Sequence, residues 1–243
     1  MAQAMTSPSR APRDRYTRIA ILLHWAIAAF IVFNLCSGFF IEGWLHGRPG
    51  AGPPPPANWA SLVLHASSGL TVLALTVVRV AWRLVNDPPP PPAGSRHWER
   101  RAARVAHFLL YAAMVLMPLT GWAILSAHPP AGSRGASAVA LPPGAPPPSA
   151  APRTVTVWNL VPMPAIAPVE AIGSEPGGVA PQHVLHERFA DWHRTGGWLL
   201  LGLLLLHVLG ALKHQLLDRQ PALQRIGIGR SRPGMEPRHN SGS

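Results

Sequence analysis

The sequence predicts an all-α protein, a transmembrane four-helix bundle with both termini cytoplasmic. Three observations predict it. Residues 19–40, 59–78, 105–125 and 196–212 contain no Asp, Glu, Lys or Arg, and each is close to the ~20 residues a helix needs to cross the hydrocarbon core. None of the four shows the polar stripe, every three or four residues, of a helix on a soluble surface. The basic residues also alternate. Arg10, Arg13, Arg15 and Arg18 precede the first stretch, Arg83, Arg96, Arg100, Arg101 and Arg104 separate the second from the third, and Lys213, Arg219, Arg225, Arg230, Arg232 and Arg238 follow the fourth. The other two connections hold only Arg48, Arg134, Arg153, Arg188 and Arg194. Since Lys and Arg stay on the cytoplasmic side, the tails and the central loop belong there. The formal charge of +11 therefore reports topology, and its distribution argues against a nucleic-acid interface.

Taken in order, residues 1–18 form a basic tail and 19–217 the bundle, with spans at about 19–40, 59–84, 104–125 and 193–217, and 218–243 form a second basic tail. The first span is longer than the about 7–15 apolar residues of a signal peptide and no A-x-A site follows it, so it stays as a helix. Trp192, Leu216 and Leu217 extend the short fourth stretch into both interfaces. Proline clusters at 53–56 and 88–92 mark loops, where extended backbone is favoured.

The connection at about 126–187 is rich in Ala, Pro and Gly, and two readings of it stand: a flexible insertion, or a docking segment for a partner. Within it, RTVTVWNLV has the composition of a strand or an interfacial contact. Cys36 is the lone cysteine, which excludes an internal disulfide, a Cys-ligated cluster and covalent C-x-x-C-H haem attachment.

Histidines inside apolar spans are costly and usually serve a cofactor, an ion path or a proton relay. His24, His65, His107 and His207 lie in spans, and His193 opens the fourth. With the topology above, His24 and His207 share the cytoplasmic level, and His65 and His193 the external level. His193 and His207 are 14 residues apart, about 21 Å of rise and within about 40° of four full turns, so both leave one helix face. Two opposed imidazoles in an apolar bundle, without thiolates or carboxylates, suit haem iron with two axial histidines better than zinc, which takes three or four ligands.

Gly69, Gly197 and Gly210 sit one turn from these histidines, either as room for a flat macrocycle or as ordinary helix packing. Arg79, 14 residues after His65, falls at the cytoplasmic level, to meet a haem propionate or to snorkel to lipid phosphate. Arg188 and Arg194 flank His193 and could steer an anion inward, although Glu187 and Asp191 offset them. Lys213 and His214 are candidates beside a quinone headgroup, with surface solvation the alternative.

The segments RIAILLHW, LVLHASSGLTVLALTVVRVAWRL, HFLLYAAMVLMPLTGW, DWHRTGGW and LLLLHVLGALKH together resemble the bacterial cytochrome b561 family, apart from the long external loop. The resemblance implies a diheme bundle of the bacterial inner membrane. His24 and His207 would ligate the cytoplasmic-side haem b, and His65 and His193 the external one, with His107 not a ligand. It implies exchange with the quinone pool, with ubiquinone the acceptor and a small external reductant such as superoxide the donor. A subunit relaying electrons from a partner hydrogenase or dehydrogenase has the same fold. A haem-free transporter or proton relay is the alternative from another class.

Overall fold

The computed structural model describes residues 15–46, 56–90, 96–139, 155–220 and 222–229. Four helices dominate it: α1 (Arg18–His46), α2 (Pro56–Val85), α3 (His97–Ser126) and α6 (Val179–Leu216). All four are long and apolar enough to cross a membrane. Exposed Leu22, Phe33, Phe40, Val77, Phe108, Leu205 and Leu209 stud their outer faces, as expected where the solvent is lipid. In cyclic order the bundle runs α1, α2, α3, α6: α1 packs along α2, α2 along α3 and α3 along α6, while α1 and α6 barely touch.

A ladder of seven residues organises the interior. On a helix, seven residues rise about 10.5 Å and fall within about 20° of two full turns, so they share a face. Ile31 of α1, Val72 of α2, Met114 of α3 and Leu200 of α6 are all buried and form one apolar cluster with Ile27. Seven residues away on each helix, toward the 126–187 linker, stand Gly38, His65, Gly121 and His193. Seven residues the other way, toward the tails, stand His24, Arg79, His107 and His207. The bundle thus stacks an apolar middle layer between two histidine-bearing ones.

The fourth spanning helix starts earlier than the DWHRTGGW segment. α6 runs unbroken for 38 residues, about 57 Å, nearly twice the hydrocarbon thickness. Pro181 falls in the first turn, where a missing N–H costs nothing. The first turns of α6 exceed the length a span needs, and through Gln182 they anchor the linker.

The described part of the linker is folded, in place of the flexible insertion. It holds α4 (Arg134–Ala138), strands β1 (Thr156–Val157) and β2 (Val161–Pro162), α5 (Ala167–Ile172) and a 3₁₀ turn. Fully buried Gln182 of α6 ties it down, donating from Nε2 to the carbonyls of His128, Val169 and Glu170. Ile166 N–H donates to Ser126 Oγ (2.9 Å), and Trp122 Nε1 to the Pro164 carbonyl (2.7 Å).

β1 and β2 pair antiparallel. Leu160 N–H donates to the Val157 carbonyl (2.9 Å), and Trp158 and Asn159 between them have φ of 52° and 58°. This is a type I′ turn, which suits the strand twist but strains a tryptophan. The strained residue is pinned to α2: its N–H donates to Ser67 Oγ (2.8 Å) and its indole N–H to Thr71 Oγ1 (3.1 Å), with its ring 6.3 Å from that of Phe30. Thr71 lies 12 residues past Trp59, about 18 Å down α2, so the hairpin tip reaches well into the bundle's apolar length. Ser67 thus takes the backbone N–H of Trp158 and Thr71 its indole N–H, so both donors of the tryptophan are paired.

Leu160, 82% exposed at that tip, is expected to face lipid. A Leu160→Cys change in a Cys36→Ala background is expected to escape a membrane-impermeant maleimide in intact membranes and to react after detergent. Rapid labelling from the aqueous phase would place the hairpin in water.

Candidate functional site

The structure brings together the histidines that the spacing pairs. His65 of α2 and His193 of α6 face each other with ring centroids 6.0 Å apart, across the diagonal of the bundle. His24 of α1 and His207 of α6 face each other at 6.3 Å, across its loosely packed side. Two imidazoles that ligate one metal from opposite sides, each at about 2 Å, put their ring centroids roughly 6 Å apart. The spacing of both pairs fits that requirement.

The linker-side pair borders a cavity of about 320 Å³, lined largely by apolar side chains such as Leu35, Phe39, Met117 and Leu125. Gly69 and Gly197 both line it. A Cβ added at Gly197 would meet nothing within 4 Å, and one at Gly69 would approach Asn34 Oδ1 at 3.7 Å. These two glycines therefore keep space open, whereas Gly210, also free of neighbours, lies outside the cavity.

At the tail-side level the structure gathers more than a pair. The ring of His107 lies 5.2 Å from that of His207, closer than His24, and its Nδ1 donates to the Ala103 carbonyl (2.7 Å). Yet α3 and α6 pack closely along their length while α1 and α6 do not, so the His24–His207 pair spans the more loosely packed side of the bundle. Arg79 reaches the same level. Its Nε donates to the Tyr111 hydroxyl (2.9 Å), and its Nη1 is buried with no hydrogen-bond partner among the described residues. A buried, unpaired guanidinium nitrogen is costly, and a carboxylate beside it would remove the cost. That orphan donor favours the propionate reading over snorkelling.

Lys213 and His214 are already engaged. Lys213 Nζ bridges Glu99 (2.6 Å) and Asp218 (2.9 Å), and His214 Nδ1 reaches Asp218 at 2.7 Å, a network clamping the start of α3 to the end of α6. The hydrogen bonds from Lys213, and then from His214, hold the Asp218 carboxyl below its usual range. Because the lowered value belongs to the folded state, the clamp persists at neutral pH and is lost only as pH falls below about 3.9 and through that value. At the other end, Arg194 lines the cavity and pairs with Asp191, and Glu187 lies near His183.

Four residues escape a reading based on histidine spacing alone. Ser37 Oγ is 2.9 Å from His65 Nδ1, and Thr120 Oγ1 is 3.0 Å from His193 Nδ1. The next residue in each case is a glycine, Gly38 and Gly121, where an added Cβ would press to 3.2 Å from Cε1 of the same histidine. The signal in the sequence is a hydroxyl–glycine dipeptide near the linker end of both α1 and α3.

Four apolar spans, with imidazoles opposed at two levels around an apolar interior, define a membrane helical bundle of the cytochrome class. The chain belongs to the prokaryotic cytochrome b561 family, whose model matches residues 15–229. It is a membrane cytochrome of a family that transfers electrons through b-type haem. It is 25% identical over 225 residues to cytochrome b561 homolog 2 of Escherichia coli (strain K12), a match covering 90% of this chain and 93% of that protein. It is 36% identical over 107 residues to cytochrome b562 of Cereibacter sphaeroides, covering 44% of this chain and 63% of that one. Cytochrome b561 homolog 1 of Escherichia coli (strain K12) is 27% identical over 120 residues, covering 46% and 60%.

Proposed function

We propose that this chain holds two b-type haems, one between His24 and His207 and one between His65 and His193, and conducts electrons from an external reductant, superoxide among the candidates, to the quinone pool of the bacterial inner membrane. The observation that carries this reading is the 14-residue step on α6, which turns His193 and His207 to one face and gives each an opposed imidazole at about 6 Å. Haem iron supplies the one-electron chemistry that none of these side chains supplies. The protein's part is to hold and insulate. The four histidines hold the two levels, the glycines keep the linker-side cavity clear, and Arg79 with Tyr111 meets a carboxylate at the tail side.

Between the levels, Ile31, Val72, Met114 and Leu200 form a buried apolar layer that disfavours water on the route an electron takes. The arginine-rich tails support a cytoplasmic location for the tail-side level, with ubiquinone the acceptor there. Zinc is disfavoured because, among the described residues, no three His, Cys, Asp or Glu side chains converge as metal ligands.

A reduced-minus-oxidised spectrum of the purified protein is the first test. It is expected to show a b-type α-band with two haems per chain, and a haem-free protein would remove the proposal. Superoxide-dependent reduction of quinone by the isolated chain tests the donor, whereas stable co-purification with an iron–sulfur hydrogenase or dehydrogenase would favour a relay subunit. His107→Ala is expected to keep both haems, since His107 lies on the closely packed α3–α6 side. Loss of the tail-side haem from that variant, with retention in His24→Ala, would reverse the ligand assignment.

A further inference from the structure

We propose that Ser37–Gly38 on α1 and Thr120–Gly121 on α3 are matched seats that fix the tautomer and ring rotation of His65 and His193, and thereby set the midpoint potential of the linker-side haem alone. The inference rests on the ligand pairing proposed above and concerns the neighbours of those ligands.

The hydrogen-bond directions assign the tautomer. Ser37 Oγ–H donates to the Asn34 carbonyl (3.2 Å), and Thr120 Oγ1–H to the Met117 carbonyl (2.9 Å). A hydroxyl has a single proton, so each oxygen faces its histidine as an acceptor. Nδ1 of His65 and of His193, each also hydrogen-bonded to the Asn34 or Met117 backbone, then carries the hydrogen and donates it. Nε2 is left as the bare nitrogen, the form a metal takes.

The glycines set the ring's position. With only hydrogens on Cα, Gly38 and Gly121 let Cε1 of each imidazole rest against the neighbouring helix, where a methyl group would crowd it at 3.2 Å. Hydroxyl and glycine are adjacent in sequence, and Nδ1 and Cε1 are adjacent in the ring, so one dipeptide grips one ring edge. The two seats lie on the two closely packed helix pairs, α1 with α2 and α3 with α6. The tail-side level has no such device: among the described residues, neither His24 nor His207 is hydrogen-bonded through its ring.

An acceptor on Nδ1–H makes an imidazole a more basic ligand, which favours the ferric over the ferrous state. Removing the hydroxyl leaves the backbone carbonyl of Asn34 or Met117 as the remaining acceptor and should raise the potential. Outer-shell partners of metal-bound histidines are typically worth 10- to 100-fold in affinity, and a tenfold change in the ferric-to-ferrous ratio is about 59 mV for a one-electron couple.

The test is a spectroelectrochemical titration of the full-length protein in lipid nanodiscs. Ser37→Ala and Thr120→Ala should each move one of two titration waves upward by about 59 mV and leave the other in place, while Thr120→Ser and Ser37→Thr should titrate as the wild type. Unmoved waves in both alanine variants, with a wild type that titrates as two haems, would overturn the inference and leave the pairing standing. A wild type with a single wave from a single haem would instead overturn the pairing. Should an alanine variant lose the linker-side haem, recovery in the hydroxyl-conserving variant supports the seat, and failure to recover refutes it.

Discussion

Alanine at His207 is expected to remove the tail-side haem and leave the linker-side one. The two sites share α6, but Leu200 and the rest of the apolar layer separate them, and 14 residues put the ligands about 21 Å apart. His193→Ala should do the converse. At the tail side His107 stands 5.2 Å from the His207 ring but is held to the Ala103 carbonyl through Nδ1, so it is not expected to replace His207. Pyridine haemochromogen content per chain checks the result, expected to halve in each single variant and to vanish in the double. Loss of both haems from either single variant, with the helical circular dichroism unchanged, would mean that the sites are coupled and the two-level account is wrong.

Gly197→Leu is expected to produce a comparably large loss, confined to the linker-side haem, by filling space. A Cβ at this position meets nothing within 4 Å, so Gly197→Ala should be nearly silent. A leucine places three further carbons into the cavity that His65 and His193 border, and a close-packed interior has no spare volume for both occupants. The helix itself should be no weaker, because glycine is the poorer helix former by about 1 kcal/mol. The leucine variant should thus be as thermally stable as the wild type without haem and markedly less stabilised by haem addition. Equal haem content in the leucine and wild-type proteins would show that the cavity is not where the macrocycle lies.

How much of this was legible beforehand follows from the range of each interaction. The spans were legible because hydrocarbon tests each residue separately, and charge-free runs such as 196–212 satisfy it without help from neighbours. The face shared by His193 and His207, and the levels of His65 and Arg79, followed from 3.6 residues per turn. That α6 begins at Val179, ahead of the span it contains, was not legible, because a proline such as Pro181 that breaks a helix interior is harmless in a first turn. The linker's fold was illegible for a different reason: Trp158 tolerates a left-handed backbone only because Ser67 and Thr71, far away in sequence, receive its two N–H groups.

What the chain alone determined, then, is everything carried within one helix: four crossings, an even topology, and histidines at two depths on common faces. Only the packing decided which helices adjoin. Ser37 is 28 residues from His65 and Thr120 is 73 from His193, so no helical period relates them. The physical reason is that a helix fixes the direction of its own side chains, while the partner each one meets depends on how closely two backbones approach. Here Gly38 and Gly121 permit that approach on the α1–α2 and α3–α6 sides, and the α1–α6 side stays open.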